Sequence, residues 1–331
     1  MITYSNDRLF TFKGVTPLVD KNDKYIVLFF TVFLSILRVV FSGCDSPLTA
    51  KWPSVLRHYI FKRKISSEKK VSKMSESIWY FAWHTFSFGY ALKILMKEYG
   101  TVENPGWIRY FVKDLKGIWF FSEDLEHVQN KIASWPMLNI TMETRVFMLM
   151  CTGFWISCLI FINWETRRTD STIMKFHHVT TILLLALSYI YNFHRISMFV
   201  IVFHDIPDVL LYLTKIYSYY NKNNDVLLVL SFGLYGISHF VMRFLFLSRY
   251  IVYPLLMKFD VFDYSGGTIK YLWDFPGGVI CPASIAVLMV MNAYWLNFIV
   301  CLFKKIIFNR AEVGKSGKIL MFPLVDTRES D

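Results

Sequence analysis

Seven continuous apolar stretches, each close to the roughly 20 residues that an α-helix needs to cross a bilayer, constrain this chain more than any other feature. They cover residues 25–41, 78–96, 144–164, 172–193, 196–217, 226–250 and 279–303. The strands of a membrane β-barrel would instead alternate in polarity over about ten residues. We therefore predict an all-α polytopic membrane protein with about seven transmembrane helices, of which the second is the least apolar.

The composition supports this class. Hydrophobic residues make up 54% of the 331 residues and charged residues 18%, against about 25% charged residues in a soluble domain. This balance argues against a soluble enzyme, a disordered protein and a disulfide-stapled secreted domain. The net charge of +11 fits Lys and Arg in cytosolic loops facing anionic lipid. We expect membrane lipids, and no nucleic acid, to be the partners of these charges.

The distribution of basic residues predicts the orientation. Basic residues cluster at 51–73, 167–175 and 304–328, whereas 102–143 and 259–278 are acidic or mixed. With seven spans, the three basic segments lie on one side of the membrane, which is the cytosolic side. The amino terminus is then lumenal and the carboxyl terminus cytosolic.

Ionisable side chains inside the apolar stretches are the candidates for function, because a bilayer-spanning helix normally avoids them. The fourth stretch contains His177 and His178, and the fifth contains His204, Asp205 and Asp208. At 1.5 Å of rise per residue, the two antiparallel helices bring the histidines and the carboxylates to about the same depth. A histidine beside a carboxylate can act as a general base or as an activated nucleophile.

Two other interpretations of these residues stay open. A His–Asp pair can be a structural hydrogen bond between helices, or part of a metal site or an ion path. His84 has no visible partner in the sequence, so we expect it to serve packing or to line a water cavity. His239 and Arg243 are four residues apart, and we expect them to form an interhelical polar contact.

The segment from Arg167 to His178 resembles a motif of the ceramide synthases, in which a basic residue and Asp170 precede Met174 and two histidines. The residues from His177 to Lys215 are similar to the Lag motif, which lies within the TLC domain that the TRAM and CLN8 proteins share. The agreeing residues include His177, His178, Ser188, Tyr189, Asn192, His204, Asp205 and Asp208.

Further marks of the family lie outside that motif. The family's element before the second span resembles residues 73–79, and its element at the end of the sixth span resembles Ser248–Arg249 with Pro254. Its element in the last span resembles residues 292–295. The chain departs from the family at Ser197, which replaces a usual Gly, at Tyr212, which replaces an acidic residue, and at Asn292, which replaces a usual Gln. The resemblance implies a domain organisation of 1–72, a TLC domain of six helices at 73–303, and a cytosolic tail at 304–331.

The resemblance implies N-acylation of a sphingoid base by a fatty acyl-CoA, which gives a ceramide or dihydroceramide and CoA. It assigns catalysis to His177, His178, Asp205 and Asp208, with a carboxylate orienting an imidazole. We expect substrate contacts from His204, Asn192, Arg167, Arg168, Lys175 and Trp295. Acyl-CoA is a co-substrate, and neither a metal nor a further cofactor is implied.

The resemblance also implies residence in the membrane of the endoplasmic reticulum, and it leaves a homodimer open. Two rival classes of function remain. One is a non-enzymatic TLC-domain protein that binds lipid or handles cargo, which the complete set of histidines and carboxylates argues against. The other is an ion-coupled transporter, for which the sequence offers no inverted repeat.

Overall fold

The computed structural model describes residues 19–43, 54–62, 68–98, 140–165, 170–220, 225–253 and 276–313. All regular structure in these ranges is helical, which confirms the predicted all-α class. The helices are α1 Asp23–Phe41, α2 Val55–Lys62, α3 Glu68–Glu98, α4 Met142–Phe161, α5 Ser171–Ile190, α6 His194–Tyr220, α7 Asp225–Phe240, which continues as a π-helical segment at Val241–Val252, and α8 Pro276–Val313.

Six helices of the described part are long and apolar enough to cross a membrane: α1, α4, α5, α6, α7 with its π-helical segment, and α8. The remaining predicted span, 78–96, lies within α3. This helix has 31 residues, or roughly 46 Å at 1.5 Å per residue, but it is more polar than the others. Its extensive packing against α6 explains this, because side chains that face protein need not be soluble in lipid.

Buried ion pairs fasten α1 to the bundle near both of its ends. Near the start, Asp23 accepts hydrogen bonds from Arg145 at 2.6 Å and from the Tyr189 hydroxyl at 2.6 Å. Near the end, Arg38 lies 2.5 Å from Glu165, which also accepts a hydrogen bond from Tyr80. The first apolar stretch is therefore part of the bundle and packs along α4.

The core lies where α3, α4, α5 and α6 meet, and aromatic rings fill much of it. The rings of Trp83 and Phe154 stack with centroids 3.8 Å apart, and those of Tyr80 and Tyr212 stack at 5.2 Å. Between α5 and α6 the chain reverses within three residues. Asn192 makes this possible with a φ of 61°, a left-handed conformation that asparagine tolerates better than most residues.

Candidate active site

A cavity opens between α3, α4, α5, α6 and α8. Aliphatic side chains form much of its wall, among them Leu184, Leu185, Ile196 and Ile285. Its polar lining is contributed mainly by α5 and α6. This polar lining consists of Ser87, His177, Thr181, Ser188, Ser197, His204, Asp205 and Asp208. The cavity therefore joins an apolar chamber to a small group of titratable side chains.

The structure brings three of the four predicted catalytic residues to this one cavity. His177 lines it from α5, and Asp205 and Asp208 line it from α6. His178 does not line it: its buried ring lies against Trp155, with centroids 5.1 Å apart. The His177 side of α5 thus faces the same cavity as the carboxylates of α6, and His178 is turned towards Trp155 of α4.

Aromatic rings hold the imidazole of His177 in place. Trp155 and Trp295 meet it edge to face, with centroid distances of 5.6 Å and 5.3 Å. Its Nδ1 is buried and has no hydrogen-bond partner among the described residues. The ring is therefore oriented by packing.

Asp205 is bonded to a residue that lies far away in the sequence. Its Oδ1 accepts a hydrogen bond from His84 Nδ1 at 2.7 Å, although the two residues are 121 positions apart. Both side chains are almost fully buried. Its Oδ2 is buried as well and has no hydrogen-bond partner among the described residues. The expectation that His84 serves only packing or cavity lining was therefore wrong.

Asp208 is paired with Arg243 of the π-helical segment. Arg243 Nη2 lies 2.7 Å from Asp208 Oδ1 and donates a second hydrogen bond, also of 2.7 Å, to the carbonyl of His204. Pro207 lacks the N–H that would bond to the carbonyl of Phe203 in α6, and the guanidinium donates to the carbonyl of the next residue, His204. Arg243 thus makes the interhelical contact that we expected of it, with a catalytic candidate as its partner.

The expected hydrogen bond between a carboxylate and a histidine of α5 does not form in the described structure. His84 occupies Oδ1 of Asp205, and Arg243 occupies Oδ1 of Asp208. The prediction from the fourth and fifth apolar stretches did not find His84 and Arg243, because both lie in other spans. One signal was available: a histidine and an arginine inside apolar stretches need polar partners wherever they pack.

His204 presents a defined tautomer to the cavity. Its Nδ1 lies 2.8 Å from the carbonyl of Val200, which can only accept, so Nδ1 carries the hydrogen. Its Nε2 then keeps a lone pair and accepts the long, 3.4 Å contact from the Asn292 amide. His239 also meets α8, where its Nε2 lies 3.3 Å from the Asn292 carbonyl.

The other predicted substrate-binding residues are more scattered. Trp295 contacts His177 and donates a 3.4 Å hydrogen bond to Asp170. Asn192 lies in the link between α5 and α6, where its Oδ1 accepts from His194 Nδ1 at 2.8 Å, and it does not line the cavity. Lys175 is partly buried on the first turns of α5. Arg167 and Arg168 lie outside the described residues.

One group of side chains has the composition of a metal site. Ligand atoms of His84, Asp205 and Asp208 lie within 4.8 Å of one another. Arg243, however, is bonded to Asp208 and places a fixed positive charge beside this group. A second cation would be repelled there, so the residues present fit a metal ion poorly.

Sequence comparisons place the chain among known proteins. The TLC domain model, which covers the TRAM, LAG1 and CLN8 proteins, matches residues 73–301. ASC1-like protein 3 of Oryza sativa subsp. japonica is 25% identical over 78% of this chain and 84% of its own length. Ceramide synthase LOH2 of Arabidopsis thaliana is 24% identical, over 76% and 75%. Ceramide synthase 1 of Homo sapiens is 25% identical, over 74% and 64%.

Proposed function

The chain belongs to the TLC-domain family, and from this premise we propose that it is a ceramide synthase, which transfers the acyl group of a fatty acyl-CoA to the amino group of a sphingoid base. Its relatives named ceramide synthase, at 24% to 26% identity, support this reaction. The observation that carries the proposal is the convergence of His177, Asp205 and Asp208 on one apolar cavity inside the bundle.

The shape and lining of the cavity suit a membrane-dissolved acyl chain. Ser188 lines it eleven residues beyond His177 on the same helix, which is roughly 16 Å along α5 at 1.5 Å per residue. An acyl chain that extends along α5 from a thioester at His177 would contact mainly Leu184, Leu185 and Ile285.

The chemistry requires an amine to attack a thioester carbonyl. A C–N bond forms, the C–S bond breaks, and the CoA thiolate leaves. The ammonium form of the amine must first lose a proton, which the neutral imidazole of His177 can accept. The second proton, which the nitrogen loses as the amide forms, goes to the CoA thiolate. Alternatively, the same imidazole attacks the thioester and forms an acyl-imidazole, which the amine then resolves. Both routes use the same ring at the same position.

The two carboxylates support either route without direct contact to His177. Their negative charge stabilises an imidazolium on the opposite wall of the cavity. Arg167, Arg168 and Lys175 lie at or before the start of α5, and we assign them to the phosphates of CoA, for which Arg provides bidentate hydrogen bonds. The basic clusters predict that this side is cytosolic, where acyl-CoA is found.

The direct test is an assay of the purified protein with several acyl-CoAs and sphinganine, with the product identified by mass spectrometry. We expect an N-acylated product and free CoA in equal amounts. If the folded protein binds lipid but forms no product, the result would favour the non-enzymatic TLC-domain alternative.

A further inference from the structure

The free oxygen of Asp205 points to a ligand. Asp205 is 5% exposed and lines the cavity. Its Oδ1 is bonded to His84, but its buried Oδ2 has no hydrogen-bond partner among the described residues. A buried acceptor without a donor carries a desolvation cost, which is larger for a charged group. A ligand that donates to Oδ2 from within the cavity removes this cost.

The charge of the site selects the kind of donor. The two charged residues among those that line the cavity, Asp205 and Asp208, are both carboxylates. Arg243 compensates one of them through its 2.7 Å pair with Asp208. The formal charge of Asp205, Asp208 and Arg243 together is therefore −1. In a cavity of low polarity, such a site favours a cationic donor over a neutral one of the same size.

His84 determines which way this carboxylate faces. Tyr212 stacks on its ring with centroids 5.7 Å apart, and Trp155 covers it at 6.1 Å. Tyr80, one turn earlier on α3, lies at 6.4 Å. The imidazole is thus confined between aromatic rings while Nδ1–H holds Oδ1 of Asp205. The hydrogen bond from His84 to Oδ1 leaves Oδ2 of Asp205 as the acceptor for a ligand. An acceptor that is already fixed in place binds its ligand more tightly than one that must be ordered on binding.

We propose that Oδ2 of Asp205, positioned by His84, is the binding point for the primary amino group of a long-chain amine in this cavity. The inference rests on the proposed function in naming the amine as the acyl acceptor. His84 is a positioning residue, since it acts through Asp205. The ammonium–carboxylate pair would hold the nitrogen in the cavity that His177 also lines, so that His177 can take its proton.

Equilibrium binding tests this subsite without reference to acyl transfer. The probes are octadecylamine and 1-octadecanol, which share one chain length and differ in the head group. We expect the purified wild-type protein to bind the amine at least about tenfold more tightly than the alcohol, the factor that 1.4 kcal/mol of binding free energy provides. His84→Phe should abolish this preference, because Asp205 loses its positioning hydrogen bond.

Two further variants make the result specific. His84→Gln keeps a donor that can reach Asp205, and we expect it to recover part of the preference. Tyr90→Phe is the matched control on α3: the Tyr90 ring packs against Phe147 with centroids 4.9 Å apart, it does not line the cavity, and the variant should keep the preference. In the acylation assay, His84→Phe should raise the KM for sphinganine by about tenfold while the KM for acyl-CoA changes less than twofold.

Three results would overturn the inference. One is equal affinity of the wild-type protein for the amine and the alcohol, which needs no variant. Another is an amine preference in His84→Phe that equals that of Tyr90→Phe. The third is a stoichiometric divalent metal in the purified protein that is lost in His84→Gln. Failure of the proposed function has a different signature, namely amine binding without any acylated product.

Discussion

His84 Nδ1 lies 2.7 Å from Asp205 Oδ1 and so joins α3 to α6 at the wall of the cavity. This bond connects α3, which is not among the six described helices that are long and apolar enough to cross a membrane, to α6, which carries both candidate carboxylates. Tyr212 packs against the same imidazole. Tyr212 replaces an acidic residue of the Lag motif, and its ring supports the His84–Asp205 pair.

Asp205→Asn should lower acyl transfer by about 10²-fold, the usual scale for loss of a proton-transfer or charge-stabilising group. The amide keeps the volume but removes the charge that faces the cavity. The measurement is kcat with saturating acyl-CoA and sphinganine. The double variant His177→Ala/Asp205→Asn should be little slower than the slower single variant, because residues that act as a unit are not additive. Strictly multiplicative losses would contradict a shared role.

Arg243→Gln should lower the free energy of unfolding by about 3 kcal/mol, the scale for breaking a buried ion pair. The substitution leaves Asp208, a half-buried carboxylate, without its 2.7 Å partner. Arg243→Leu/Asp208→Leu removes both charges and should regain most of the stability. Thermal or denaturant unfolding in detergent measures both effects.

The exposed pair Lys93–Glu143 provides the control for that prediction. Its atoms lie 2.5 Å apart, but the Lys93 side chain is 57% exposed, and exposed ion pairs contribute at most about 1 kcal/mol. Lys93→Gln should therefore change stability much less than Arg243→Gln. Equal losses of unfolding free energy in Lys93→Gln and Arg243→Gln would contradict a special contribution of the Arg243–Asp208 pair to stability.

The convergence of α5 and α6 could be predicted from the sequence because it requires only local information. Neighbouring antiparallel helices and a fixed rise per residue place His177 and Asp208 level, and both line the cavity. The partners His84 and Arg243 could not be predicted in this way. Their contacts depend on how α3 and the π-helical segment pack against α6, and many residues separate them from the carboxylates.

Ser197→Leu should shift the acyl-CoA preference towards shorter chains. Ser197 lines the cavity and donates a 2.6 Å hydrogen bond to Ser188, at the end that lies furthest along α5 from His177. A larger side chain there shortens the apolar chamber, so kcat/KM for the longest accepted acyl-CoA should fall by about tenfold. The measurement is a series of acyl-CoAs of increasing length.

The same substitution at Ser231 of α7, which does not line the cavity, is the control for the chain-length experiment. Ser231→Leu should leave the order of acyl-CoA preference unchanged. An equal loss for all chain lengths in Ser197→Leu would contradict the assignment of this end of the cavity to the acyl chain.

A tag before Met1 should be lumenal and a tag after Asp331 cytosolic. This expectation combines the basic loops with seven crossings, of which α3 is the one whose sequence is least apolar. Protease protection in sealed microsomes measures it, with detergent-opened vesicles as the control. Digestion of both tags from outside would mean an even number of crossings and would make α3 the first helix to reassign.

The central claim is that the cavity at His177 is a site of acyl transfer. The most direct measurement is the rate at which purified His177→Ala converts acyl-CoA and sphinganine to N-acylated product, beside the wild-type protein and His239→Gln, which replaces a buried histidine outside the cavity. The account predicts that His177→Ala loses at least about 10²-fold in rate while His239→Gln stays near wild type and both variants remain folded. A folded His177→Ala protein that forms product at the wild-type rate would contradict it.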